Sequence, residues 1–517
     1  MKENHPLPSG LPEGQRPEIG LAPAHLELLA KLGDTVPRSL DIPSQRRIFV
    51  NRGLPMADVE LIGFDMDYTL ALYNQHNLER LSIECTIKKL IEKHGYPDEI
   101  RSLEYEQQFA VRGLVVDRNY GNVLKMDRFG QVERVYHGRR LLGPDDVHML
   151  YQTERIRLSH PRYAWIDTLF ALPEAVMYAR LVAFFDEREE RIKYGKLWQD
   201  IRDSIDEAHR DDSLKSVIRR RLSEYILSDP DLASTLHKFR SAGKRIFLLT
   251  NSAWDYTDAV MRYLLDGVLS AYPSWRNFFD IVVVSGQKPA FFTEKNPFLE
   301  LDPNGQVKGV AEGQFQRGRI YQGGNIADFE AMAGQRGNRV LYIGDHIYGD
   351  MLRAKKSSVW RTAMVVQELE REVELLSRHA DELKRIETLE RQCTRLDPEI
   401  TYQQQLVRML SRVEDGNGID RQVLDRARQE AKRRLDELRT SMKQASTEMS
   451  VIDERIYRDF NPYWGAIFRA GLENSRFGQQ VEDYACVYTS RVSNFLAYSP
   501  LRNFRSPRDF MSHENQP

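Results

Sequence analysis

From about residue 58 the chain sets short apolar runs between longer mixed stretches. Four runs stand out: Val59-Glu60-Leu61-Ile62-Gly63-Phe64, Arg245-Ile246-Phe247-Leu248-Leu249, Asp280-Ile281-Val282-Val283-Val284 and Arg339-Val340-Leu341-Tyr342-Ile343. Near-continuous apolar character over so few residues predicts strands covered on both faces, as in a parallel sheet. Helix-like stretches separate the later runs, which is what parallel crossovers need. About 180 residues lie between the first run and the second, far more than one crossover helix takes, so an inserted domain is expected. It opens on a hairpin-like pair, Gly113–Asp117 and Tyr120–Lys125, and turns helical and charged through residues 170–225.

Beyond Arg361 the pattern changes again. Ala431, Leu435, Leu438, Met442, Ala445, Met449 and Ile452 alternate steps of four and three, a coiled-coil seam. Leu369, Val373, Leu376, Ala380 and Leu383 do the same before the register slips near Ile386. The two stretches predict an antiparallel helical hairpin, a scaffold or an oligomer contact. Residues 1–24 are rich in Pro and Gly and read as a loose arm. The expected organisation is an α/β, doubly wound parallel-sheet core with an inserted α+β cap and a helical C-terminal extension. Its divisions are an arm at 1–40, core at 41–112 and 226–365, cap at 113–225 and the helical region at 366–517.

Composition narrows the function classes. With 74 basic and 76 acidic residues the net charge is -2, so no global positive field draws in a nucleic acid polymer. Cys85, Cys393 and Cys486 lie far apart, which argues against a disulfide framework or a structural zinc and fits a reducing compartment. No apolar run approaches the roughly 18 residues of a membrane span, and the first residues lack a signal-peptide core. A cytoplasmic location with no membrane partner is the expectation.

Each of the four strand-like runs ends in residues that handle phosphate or metal. The first leads to Asp65-Met66-Asp67, the second to Thr250-Asn251-Ser252, the third to Lys288-Pro289, and the fourth to Asp345-His346 with Asp350 close behind. Ligands bind beyond the carboxyl ends of strands in open α/β sheets, so the four segments should meet. Asp65 and Asp67 stand two apart and face one side of an extended strand end. One carboxylate can attack phosphorus, and the other can protonate the leaving alkoxide and later activate water. Hard oxygen ligands suit Mg2+, which Asp65, Asp345, Asp350 and a backbone carbonyl at Asp67 would hold. Lys288 adds positive charge, and Thr250, Asn251 and Ser252 offer hydrogen bonds to phosphate oxygens. Any one of these fragments alone is commonplace; four in order are not.

The set resembles the haloacid dehalogenase superfamily. GFDMDYTLALY, LLTNSAWDYTDAVMRYL, QKPAFF and LYIGDHIYGDMLRAKK, with FVNRGLPM and RGLVVDRNYGNVLKMD, are similar to one branch of it, the cytosolic purine 5'-nucleotidases. The likeness spans roughly residues 46–505. It implies Asp65 as nucleophile, Asp67 as acid/base, Thr250, Asn251 and Lys288 as phosphate ligands, and Asp345 and Asp350 on the magnesium side. It also implies a purine nucleoside monophosphate substrate (IMP or GMP), a nucleoside as alternative phosphate acceptor, and a homo-oligomer, tetramer or dimer.

Base recognition in that family falls on the cap. There Arg202, Asp206 and His209 share a helix face, with Lys215 as a further phosphate contact. Arg202 can donate to O6 and N7 of a 6-oxopurine and Asp206 can accept from N1, whereas adenine leaves a donor or acceptor unpaired at about 1–3 kcal/mol. The plainer reading of Arg202 and Asp206 is an i,i+4 pair on an exposed helix. After His137-Gly138 the family carries an aromatic that stacks on the purine; this chain has Arg139-Arg140, whose guanidinium plane can also stack. The resemblance implies an acidic C-terminal tail as in the animal enzymes, whereas residues 513–517 here read His-Glu-Asn-Gln-Pro. Tyr348 and Lys356 match the segment through which nucleotides activate those enzymes. Two alternatives stay open: a phosphatase of the same mechanism on another phosphomonoester, and a non-catalytic scaffold on the same fold.

Overall fold

The computed structural model describes residues 42–151, 156–352, 359–413 and 420–508, together with 511 and 514. The arm expected at 1–40 lies outside the described residues, as do Lys356 and the side chain of Tyr348.

Ten strands form the main sheet: β1 (Phe49–Val50), β2 (Leu61–Phe64), β3 (Arg245–Leu249), β4 (Ile281–Val284), β5 (Phe298–Leu301), β6 (Val307–Val310), β7 (Ile320–Gly323), β8 (Val340–Gly344), β9 (Arg361–Val365) and β10 (Val487–Thr489). Their spatial order is β1-β10-β9-β8-β2-β3-β4-β7-β5-β6. The seven strands from β10 to β7 run parallel, and β1, β5 and β6 add antiparallel edges. All four predicted runs are strands, and every residue of β2, β4 and β8 is buried, as sheets covered on both faces require. The chain winds outward from β2 through β3 and β4, then returns to place β8 on the other side of β2. That reversal makes the gap between β2 and β8 a switch point, where carboxyl strand ends leave a crevice.

The chain leaves the sheet at Leu72–Asn74 and comes back at Tyr225–Leu227, and the two crossings pair. Asn74 N donates to Tyr225 O and Leu227 N to Leu72 O, each at 2.8 Å, and Tyr73 bridges Ile226. Helix α1 (Gln75–His94) starts at once, with the Asn74 side chain accepting from Asn77 N, and ends at Gly95 in the left-handed region, φ 72°. It packs against α2 (Leu172–Glu187) and α3 (Tyr194–Arg210). Behind them stands a five-stranded antiparallel sheet in the order 140–141, 132–137, 122–126, 114–117, 163–166. The predicted hairpin is present, with Val115 opposite Leu124. Lys89 and Lys93 of α1 reach Asp211 and Glu207 at the end of α3, so one face of α3 is held by ion pairs and the other is free to line a cavity.

The C-terminal region holds α4 (Leu369–Arg378), α5 (Ala380–Arg412) and α6 (Arg421–Phe460). Helices α5 and α6 form the antiparallel hairpin: Ile386 and Leu389 meet Ala445, Ile452 and Ile456, while Ile400 meets Leu435 and Leu438. The early stripe divides differently from expectation. Leu369 and Val373 join the main core, the helix breaks at His379, and Ile386 opens the buried seam instead of ending it. His379 is tied to Glu382 and to Asp459 Oδ2, which fixes the break. Among the described residues no helix is long and apolar enough to cross a membrane.

Candidate active site

Strand register brings the predicted residues to one edge. Ile343 lies opposite Phe64 and Phe64 opposite Leu248, so Asp65, Asp345 and Thr250 each follow directly beyond their strands. Asp65 N donates to Ile343 O at 2.9 Å and Thr250 N to Val283 O at 3.1 Å. Asp350 returns from a single π-turn, Ile347–Leu352, a wide turn that recurs at functional sites. Gly344 makes room for it: a Cβ there would stand 2.4 Å from Asp350 Oδ2.

One carboxylate oxygen from each of Asp65, Asp345 and Asp350 lies within 4.8 Å of the other two, and all three residues are buried. Lys288 Nζ forms an ion pair with Asp65 Oδ1 at 2.9 Å and donates to Asp350 Oδ1 at 2.7 Å and to the Tyr342 hydroxyl at 2.8 Å. Burial pushes the Asp65 carboxyl well above the usual carboxylate range; Lys288 opposes the shift, and the neighbouring carboxylates add to it. Asp345 is pushed up to about 7 by burial and Asp350, with Arg112 working against them. The Lys288 ammonium is penalised by burial, yet Asp350 and Asp65 outweigh that and hold its pKa well above the ordinary lysine value. Asp345 Oδ2 is buried with no hydrogen-bond partner among the described residues. Three close carboxylates with an unsatisfied oxygen form an all-oxygen donor set, which fits a hard cation such as Mg2+.

Asp67 is held at both oxygens. The Tyr73 hydroxyl donates to Oδ1 at 2.5 Å and Ser252 Oγ to Oδ2 at 2.8 Å, and the Tyr256 hydroxyl lies 2.9 Å from that of Tyr73. Asn251 turns away from the expected geometry. Its Nδ2 donates to Lys288 O at 2.8 Å and its Oδ1 accepts from Lys288 N at 2.6 Å, so it clamps the lysine backbone. Thr250 Oγ1 accepts from Ser252 N at 3.0 Å, shaping the turn, and the residue is fully buried.

Asp65, Asp67, Asn251, Ser252, Lys288, Asp345 and Asp350 line a cavity of about 380 Å³, whose other wall carries Arg202, Asp206, His209 and Lys215. That size and this mix of walls suit a small polar ligand. Thr250 is not part of the lining. Arg202 does not rest on Asp206 alone: Nη1 lies 3.0 Å from Oε2 of buried Glu174, and Nε lies 3.9 Å from Asp206 Oδ2. Burial pushes Glu174 up to about 7, with Arg202 opposing. His209 is pushed down to about 4 by burial and then by Lys215, which keeps the imidazole neutral. Its ring stands edge-on to Phe170, centroids 5.7 Å apart, and Lys215 Nζ sits 5.1 Å over the Tyr256 ring.

Arg139 does not reach this cavity. It is half exposed and pairs with Glu106 at 2.9 Å, away from the cavity, whereas Phe170 is among the aromatic residues that line it. Sequence reasoning also missed Tyr73, Tyr256, Glu174 and Asp167, the last pairing with His346 at 3.0 Å across the two bodies of the cavity. A sequence signal existed for Phe170 alone: an aromatic in Leu169-Phe170-Ala171-Leu172-Pro173 at the start of a helix.

The description "5' nucleotidase family" belongs to the family profile that matches residues 48–516. A human protein, 5'-nucleotidase domain-containing protein 2, is 30% identical over 96% of this chain and 89% of its own. A 5'-nucleotidase domain-containing protein of Dictyostelium discoideum is 26% identical over 90% of this chain and 74% of its own. The structure of CbbY from Rhodobacter sphaeroides in complex with phosphate overlaps 59% of this chain and 86% of its own, with a TM-score of 0.23 and 13% identity.

Proposed function

This chain belongs to the 5'-nucleotidase family and is a phosphoric monoester hydrolase, and from that premise we propose that it is a magnesium-dependent 5'-nucleotidase acting on 6-oxopurine nucleoside monophosphates. The observation that carries the reading is the single cavity in which a carboxylate–ammonium cluster faces a wall of Arg202, Asp206, Phe170 and His209.

Asp65 attacks phosphorus through a carboxylate oxygen, and the bond to the nucleoside 5' oxygen breaks. Asp67 gives that oxygen its proton, then takes a proton from the water that opens the aspartyl phosphate. Tyr73 and Ser252 hold Asp67 for both duties from opposite sides. Lys288 supplies positive charge to the transferring oxygens, and Asn251 keeps its backbone in place. Mg2+, when bound by Asp65, Asp345, Asp350 and the Asp67 carbonyl, would offset the repulsion between nucleophile and phosphate. A nucleoside hydroxyl in place of water would make the same intermediate a phosphate donor.

On the other wall, Phe170 and neutral His209 offer apolar faces to a base. Arg202, anchored by Glu174, presents donors, and Asp206 an acceptor. A panel of phosphomonoesters with Mg2+, scored by phosphate release, tests the reading. IMP and GMP should exceed AMP and pyrimidine monophosphates by about 10-fold or more in kcat/KM, the worth of one mismatched buried hydrogen bond. A flat profile would remove the purine assignment.

A further inference from the structure

We propose that Arg112 is a positioning residue that holds Asp345 ready for the cation; the proposal rests on the reading that Asp65, Asp345 and Asp350 bind Mg2+. Arg112 is a permanent cation whose side chain has 0% exposure, yet it lies outside the carboxylate cluster. Its guanidinium is spoken for on three sides. Nε and Nη2 form a fork on Glu368, at 2.8 Å to Oε1 and 2.6 Å to Oε2, and Nη1 donates to the Asp345 backbone carbonyl at 3.0 Å. The Phe477 ring lies 4.9 Å from its central carbon. The chain can deliver the residue there because Gly113 follows it at φ +90°, where a Cβ would stand 2.6 Å from Phe477 Cβ.

Three otherwise separate segments end at this side chain. Asp345 follows β8, Glu368 opens α4 shortly after β9, and Gly113 N donates to Ile166 O at 2.6 Å beside the antiparallel sheet. The Glu368 fork fixes the guanidinium plane, and the plane then fixes the Asp345 peptide. A fixed peptide fixes the direction of its Cα–Cβ bond and so limits the carboxylate to the few positions its rotamers allow; its Oδ2 has no hydrogen bond of its own to orient it among the described residues. Charge adds to geometry. Lys288 contacts Asp65 and Asp350 directly, while Arg112 sits behind Asp345, so each of the two cations attends to a different part of the carboxylate set. Because its donors are taken up by Glu368 and the Asp345 carbonyl, Arg112 eases carboxylate repulsion without competing for the cation's place.

Calorimetric titration of the full chain with Mg2+ alone, well below the melting temperature, tests this, with circular dichroism to confirm folding. Arg112→Lys keeps a charge but cannot make the fork and the carbonyl bond together. It should bind Mg2+ about 10- to 100-fold more weakly, the usual effect of losing a group that orients a metal ligand. Wild-type affinity in the folded variant would overturn the proposal, because a tie that merely joins two bodies of the molecule changes melting without changing metal affinity. Should Arg112→Lys fail to fold, Glu368→Gln carries the same test with the same two outcomes, since Glu368 is 29% exposed and tolerates exchange. No Mg2+ uptake by the wild-type chain would sink the metal reading itself, whereas uptake left unchanged by the substitutions sinks only the role of Arg112.

Discussion

Replacing Arg202 with Met separates base recognition from phosphate chemistry. The residue sits on α3 with its side chain 44% exposed in the cavity, its Nη1 on Glu174 and its Nε toward Asp206. Methionine keeps the apolar stem and removes every donor. Glu174 loses its partner, but its pKa already stands near 7, so at neutral pH it takes up a proton instead of remaining a stranded charge, and the fold survives. A hydrogen bond from a charged donor is worth about 1.5–3 kcal/mol, which corresponds to about 10- to 150-fold. The kcat/KM for IMP and GMP should fall by that factor. For AMP and UMP, which lack an acceptor at position 6 of a purine, it should fall by less than about 3-fold, because nothing is lost that they used. Initial rates of phosphate release over a range of substrate concentrations provide the comparison. An equal fall for all four nucleotides would mean that Arg202 acts on something they share, ribose or phosphate, and the assignment of α3 to the base would be refuted.

Asp65→Asn should abolish phosphate release while the far-ultraviolet dichroism stays unchanged, since a neutral amide fits the space but cannot attack phosphorus; near-normal turnover would point to another nucleophile. Tyr73→Phe removes one of the two hydroxyls on Asp67 and should lower kcat by about 2- to 12-fold, the worth of one neutral hydrogen bond, with KM little changed; a rise in KM alone contradicts the positioning argument. Glu372 is buried, accepts from Ile467 N at 3.1 Å and is pushed up to about 7 by burial. The native state therefore keeps a proton that the unfolded chain gives up near 4.5, so stability is fully present below that pH and declines as pH rises through 7. At about 1.4 kcal/mol for each tenfold change in proton affinity the full effect is about 3 kcal/mol. Denaturant titrations of Glu372→Gln should show a pH slope between 5 and 8 flatter than wild type by that amount, and parallel slopes would refute the assignment.

The catalytic edge was legible because of polarity. Parallel strands all point the same way, so four apolar runs that each end in Asp, Thr-Asn or Lys must deliver those ends to one side of a sheet, whatever the connections between them. Asp65, Asp345 and Lys288 needed nothing more than this. Side-chain direction was less legible. Thr250 and Asn251 stand at the right edge, but the Thr250 hydroxyl takes the Ser252 N–H and Asn251 grips Lys288, because local backbone donors compete for short polar side chains. The edge strands Phe298–Leu301 and Val307–Val310 are brief, and the second is exposed throughout, so they left no buried run to read. The far wall was hidden for a different reason. Glu174 in the first turn of α2 looks like any acid favoured there by the helix dipole, and Asp167 and Arg112 sit in segments with no period at all. Their partners, Arg202, His346 and Asp345, are 28, 179 and 233 residues away in the chain. Strand polarity predicts which residues reach a site, whereas the groups that aim them come from contacts between bodies that only the folded packing defines. A search confined to motifs therefore finds Asp65 and Asp345 and misses the arginine that grips the Asp345 backbone.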